Sequence, residues 1–96
     1  MEKAITYFDR YEYGMAYNSF KETGVNQMDS DELLKYIYSC YVIGDFEEVC
    51  RHAEKVASQE ELDSFFLWAF GQSFLATGQK QKAKENYLHY KELIEI

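Results

Sequence analysis

Gly44-Asp45-Phe46-Glu47-Glu48-Val49 is echoed 34 residues later by Gly78-Gln79-Lys80-Gln81-Lys82-Ala83. A fainter third copy, Glu12-Tyr13-Gly14-Met15-Ala16, places Ala16 33 residues before Val49. A period of this length marks stacked helical hairpins, because a single hairpin cannot bury its own apolar face and needs its neighbours. The period therefore decides the fold class as all-α.

Working outward, glycine punctuates the chain. Gly24, Gly44 and Gly78 each follow a periodic apolar stretch, as the left-handed residue that ends a helix does. Start signals come next. Asp29 with Glu32, Asp45 with Glu48 and Ser58 with Glu61 all have the capping-box spacing, in which two side chains satisfy free backbone N–H groups. Together these signals predict six helices over about 2–10, 12–23, 30–43, 46–57, 59–77 and 80–95. Short connections make sequence neighbours antiparallel neighbours in space. Leu33, Tyr36, Ile37, Cys40 and Tyr41 recur at helical steps, and Leu67, Phe70, Gly71, Phe74 and Leu75 take the same places 34 residues on.

The 96 residues are the length of one domain, so a single domain over 1–96 is expected. Aromatic residues make up 18% of the chain, and rings lose side-chain freedom in helices, so their density calls for tertiary burial. Net charge is −7, and residues 29–63 alone carry 10 acidic against 3 basic groups. Such a surface repels phosphate backbones and argues against nucleic-acid binding. No apolar run approaches the ~18 residues that a membrane span needs. Met1-Glu2-Lys3-Ala4 leads straight into helical sequence, so a cytoplasmic location with reduced thiols is the expectation.

The residues of the three hairpins resemble tetratricopeptide repeats, with repeats at about 1–28, 29–62 and 63–96. The third matches best: Leu67 stands for the large residue, Phe70-Gly71 for Leu-Gly, Phe74 for Tyr, Gly78 at the turn, then Ala83 and Tyr87 for the small residue and the aromatic. The second gives Leu33, Tyr36-Ile37, Cys40, Gly44, Val49 and Ala53; the first gives Lys3-Ala4, Tyr7, Tyr13, Ala16 and Phe20. Ala4, Gly71, Ala16 and Ala83 are small where helices must approach closely. Ile37 departs from the pattern by being large, and Ala53 by not being aromatic.

The resemblance implies an α-α superhelix of six antiparallel helices whose hollow face is lined by the first helix of each pair. Helical phase then places Ile5, Phe8, Leu34, Tyr38, Tyr41, Phe65, Trp68, Gln72 and Leu75 toward the hollow. Rigid rings gain contact area at low entropic cost, so this lining implies a non-enzymatic scaffold or adaptor that binds a peptide segment or helix of a protein partner. Members that clamp a C-terminal carboxylate use cationic groups there. The matching places hold Met1, Ile5, Lys35, Phe65 and Ala69, of which only Lys35 is cationic. The alternative is a homo-oligomeric subunit. The sixth helix carries the stripe Tyr87, Tyr90, Leu93 and Ile94 with no later helix to cover it, which makes Tyr90, Leu93 and Ile94 the candidate oligomer contacts.

Catalytic chemistry has no candidate residues. His52 and His89 sit among charged neighbours and read as surface histidines. Cys40 reads as a small buried hydrophobe, and Cys50 as more exposed and oxidisable. No ligand pair has metal-site spacing, and no phosphate loop or nucleophile motif occurs, so neither a metal nor a cofactor is expected and an enzyme is not. Glu47-Glu48 and Glu60-Glu61 fall at helix starts, where the dipole accounts for them. Lys80, Lys82 and Lys84 read as a solvated face.

Overall fold

The computed structural model describes residues 1–56 and 63–94. The chain is all-α. Six helices follow one another: α1 (Glu2–Asp9), α2 (Tyr13–Thr23), α3 (Ser30–Ile43), α4 (Phe46–Val56), α5 (Ser64–Ala76) and α6 (Lys80–Ile94), with one 3₁₀ turn at Val25–Gln27. There is no strand among the described residues. Each expected helix is present, and the described ends fall close to the expected ones except at α5, expected from about 59 and described from Ser64.

Packing divides the chain into two compact units, Met1–Asp45 and Phe46–Ile96. In the first, α2 packs on both α1 and α3, and α1 also touches α3. Its buried apolar residues are Ala4, Ala16, Phe20, Tyr36, Ile37 and Cys40. Phe20 and Tyr36 meet with ring centroids 6.0 Å apart, so the two largest buried side chains contact each other directly. In the second unit, α5 packs on α4 and α6. Val49, Ala53, Val56, Leu67, Ala69, Phe70, Phe74 and Ala83 are buried there.

The repeat is visible in the backbone. Three helices close with the same pair of hydrogen bonds. At the end of α1, Glu12 N–H donates to the Tyr7 carbonyl at 2.9 Å and Tyr11 N–H to that of Phe8 at 3.0 Å. At the end of α3 the pairs are Asp45 to Cys40 at 2.9 Å and Gly44 to Tyr41 at 3.2 Å; at the end of α5 they are Gln79 to Phe74 at 2.7 Å and Gly78 to Leu75 at 3.1 Å. This is a Schellman closure, which needs a left-handed residue just past the helix. Gly44 and Gly78 supply it with φ of 89° and 81°, but the equivalent residue after α1 is Tyr11, at φ 62°. Gly24 also has positive φ, with an extended ψ of 144°.

Helix starts follow the side-chain chemistry. Asp29 Oδ1 accepts from Glu32 N–H at 2.8 Å while Glu32 Oε1 accepts from Asp29 N–H at 2.9 Å, a complete capping box at the start of α3. The expected Ser58–Glu61 box lies outside the described residues, as does the expected helical segment 59–62. Helix α5 starts instead at Ser64, where Asp63 Oδ1 accepts from Phe65 N–H at 3.0 Å. The close approach expected at Gly71 is real. A Cβ there would stand 2.6 Å from the Tyr87 ring, so α6 rests its aromatic side chain directly on the α5 backbone.

Candidate functional site

The twelve residues singled out from the sequence sit on the expected helices: Ile5 and Phe8 on α1, Leu34, Tyr38 and Tyr41 on α3, Phe65, Trp68, Gln72 and Leu75 on α5, and Tyr90, Leu93 and Ile94 on α6. None of them is fully buried. Their neighbours on the opposite stripe, such as Tyr36, Ile37 and Phe70, are. Of the two expected inner stripes, Tyr36, Ile37, Cys40, Leu67, Phe70, Gly71 and Phe74 are buried, while Leu33 and Tyr41 are half-buried and Leu75 is exposed.

The structure gathers some of these residues into two aromatic surfaces, one in each unit. In the first unit, the Phe8 ring meets Tyr38 edge-on at 5.7 Å and Tyr13 edge-on at 5.4 Å, and Tyr13 and Tyr38 lie 5.2 Å apart. Edge-to-face pairs of this kind add about 0.5–1.5 kcal/mol each beyond area burial. Burial pushes the Tyr13 hydroxyl up from its ordinary pKa, and the neighbouring Tyr38 adds to this. Tyr13 is the member that phase reasoning missed. It begins α2, and the tight turn at Tyr11 folds it back beside Phe8. Lys35 Nζ stands 5.9 Å over the Phe8 ring and 3.7 Å from Asp31 Oδ2, so the one cation of the clamp positions already has a carboxylate partner.

In the second unit, Ser64, Phe65, Trp68 and Tyr90 line an open pocket of about 270 Å³. Tyr90 was expected at an oligomer contact; here it shares a pocket with two residues assigned to the groove. Trp68 is 40% exposed and touches Tyr87 at 5.5 Å and Tyr90 at 5.7 Å. Leu75, at 50% exposure, and the α6 residues Leu93 and Ile94 are open to solvent. Ile5, Leu34 and Gln72 are half-buried at their places on α1, α3 and α5.

His52 requires a correction. It is not a surface residue but only 4% exposed, with Nε2 3.5 Å from Glu48 Oε1. Charged sequence neighbours misled the reading. His52 lies three residues from Val49 and four from Val56, both buried, so it shares their face of α4. Burial holds its pKa below the ordinary histidine value, against the pull of Glu48. His89 is exposed, as expected.

Cys40 is fully buried. Cys50 is half-buried, with Sγ 3.6 Å from Thr77 Oγ1, and burial pushes its thiol up despite that hydrogen bond. The expectation of an oxidisable Cys50 is weakened accordingly, since the thiolate is the reactive form. Among the described residues, no three His, Cys, Asp or Glu side chains come together as metal ligands would, and no helix is long and apolar enough to cross a membrane. Compared with known proteins, the chain matches no family model, no curated protein and no solved structure.

Proposed function

We propose that the chain is a tetratricopeptide-like binding module whose accessible aromatic surfaces hold a segment of a protein partner. The observation that carries this reading is the placement of rings. Phe8, Tyr13 and Tyr38 in one unit, and Phe65, Trp68 and Tyr90 in the other, stay accessible while aliphatic and aromatic residues one helical face away are buried. Phe8, Tyr13, Tyr38, Phe65 and Tyr90 are half-buried and Trp68 is 40% exposed, so part of each ring is open to a partner. Large rigid rings at a surface are the side chains that dominate protein interfaces. The threefold recurrence of the helix-closing turn, at 33- and 34-residue spacing, supports a repeat architecture of the tetratricopeptide kind. Lys35 is the one cation among the clamp positions, which argues against a carboxylate clamp.

Selecting peptides from a displayed random library tests the reading. Selected sequences should bind the wild type and lose about tenfold or more in affinity against Trp68→Ala or Tyr38→Ala, the loss expected when one anchor ring is removed. Affinity unchanged in both variants would contradict it.

A second reading draws on α6. Leu88, Leu93 and Ile94 are 52%, 40% and 56% exposed on one helix, which supports self-association through that helix. Sedimentation velocity over a wide concentration range distinguishes the two. A monomer throughout excludes self-association, while a dimer abolished by Leu93→Glu favours it.

A further inference from the structure

Three aromatic side chains converge on the pocket of about 270 Å³ in the second unit, with Ser64 completing its lining. Among the described residues, no Lys or Arg side chain lines it. Its volume falls just below the roughly 300–1,000 Å³ of sites for drug-sized ligands and leaves ample room for the end of one side chain. Phe65 and Trp68 stand three residues apart on α5 and so project from one side of that helix. Tyr90 approaches from α6, its ring tilted 48° from that of Trp68. Trp68 and Tyr90 are thus set at an angle rather than stacked.

These walls are held in place. Tyr87 backs the indole at 5.5 Å, and Tyr87 is itself seated on Gly71, where even a methyl group would collide with it. Asp63 Oδ1 accepts from Phe65 N–H and so fixes the start of the helix that carries two of the three rings.

Aromatic faces are electron-rich and attract cations, most strongly where water is excluded. An ammonium with its N–H groups intact must find acceptors on leaving water, and among the described residues the lining side chains offer the Ser64 and Tyr90 hydroxyls. A methylated ammonium has fewer such donors, or none, and its charge is spread over apolar methyl groups. We propose that this pocket binds the methylated ammonium group of a lysine side chain on the partner protein, an assignment that rests on the binding-module reading. The acid excess of the chain lies in residues 29–63, whereas residues 64–96, which supply the pocket lining, carry 4 basic against 3 acidic groups, so the rings rather than the surrounding charge would recognise the group.

Trp68 is the only tryptophan in the chain, so its fluorescence reports on this pocket alone. Free trimethyl-lysine, unmodified lysine and the uncharged carbon isostere with a tert-butyl end are titrated in turn. Trimethyl-lysine should give a saturable change at millimolar concentration, with the other two weaker by about tenfold, the factor that a desolvated cation–ring contact supplies. Phe65→Leu and Tyr90→Leu should each weaken trimethyl-lysine by about as much while leaving the thermal midpoint near that of the wild type. Equal binding of the isostere would overturn the proposal, because the pocket would then be merely apolar. If trimethyl-lysine is silent while library-selected peptides still change Trp68 emission, the methyl-ammonium assignment falls and the binding module stands. If neither changes it, the proposal falls together with the part of the binding reading that rests on Trp68.

Discussion

Replacing Tyr11 by glycine should stabilise the protein. Tyr11 is the one non-glycine residue with positive φ among the described residues, at 62°, and it occupies the turn position that Gly44 and Gly78 fill after α3 and α5. A side chain in the left-handed region costs roughly 1–2 kcal/mol through the clash of Cβ with the backbone. Glycine removes that cost but gives back roughly 0.5–1 kcal/mol because its unfolded chain is freer. The ring itself contributes little to packing. It is 79% exposed, and its one aromatic neighbour, Tyr13, lies 6.3 Å away. The net expectation is a gain of between about 0 and 1.5 kcal/mol, at roughly 4–8 °C in Tm per kcal/mol for a chain of this size. Gly44→Ala and Gly78→Ala are the matched controls, and each should lose about 1 kcal/mol by the same logic in reverse. Thermal and urea unfolding followed by circular dichroism read all three. A loss of stability in Tyr11→Gly beside losses in both controls would refute the equivalence of the three turns, and with it the structural repeat.

Further expectations follow from single contacts. Gly71→Ala drives a methyl into the Tyr87 ring, so it should destabilise by about 1–3 kcal/mol and shift the emission of Trp68, which Tyr87 supports. Asp29→Ala removes one half of the α3 capping box and should cost about 1 kcal/mol in chemical denaturation. Phe20→Ala empties a fully buried site against Tyr36 and should cost about 3–5 kcal/mol, measured in the same way. His52 is held below its ordinary pKa by burial, so the unfolded chain takes up a proton first as pH falls. Stability should therefore be unaffected by this group above about pH 7 and decline as pH drops through the ordinary histidine pKa of about 6.5 toward the lower folded value. His52→Gln should flatten that part of the profile, and an unchanged slope in Tm between pH 7 and 5 would count against a buried neutral histidine.

The period in the sequence was enough to place six helices, because glycine and alanine at fixed offsets mark turns and close approaches whatever the other residues do. The first turn was harder to read. Tyr11 stands where the pattern asks for glycine, and only backbone geometry reveals that the turn is the same. The start of α5 was assigned from Ser58 and Glu61, whose spacing suits a capping box, whereas Asp63 caps the described helix with a bond to a nearer amide. His52 was misjudged because Arg51, Glu54 and Lys55 surround it in sequence, although its neighbours three and four residues away belong to the core. Helical phase placed Phe8, Tyr38, Phe65 and Trp68 off the buried stripe but missed Tyr13 and the exposed Tyr11. It could not say which rings meet. The grouping of Phe8 with Tyr13, and of Trp68 with Tyr90, depends on how one helix lies against the next, and no single-helix pattern encodes that.

The most direct test of the central claim is an aromatic NMR spectrum of the protein, recorded with and without a library-selected peptide. A binding module of this kind predicts that resonances of Phe65, Trp68 and Tyr90, or of Phe8, Tyr13 and Tyr38, move with peptide concentration while the buried rings Phe20 and Phe70 stay in place. Bound peptide that leaves both sets of accessible rings unmoved would contradict it.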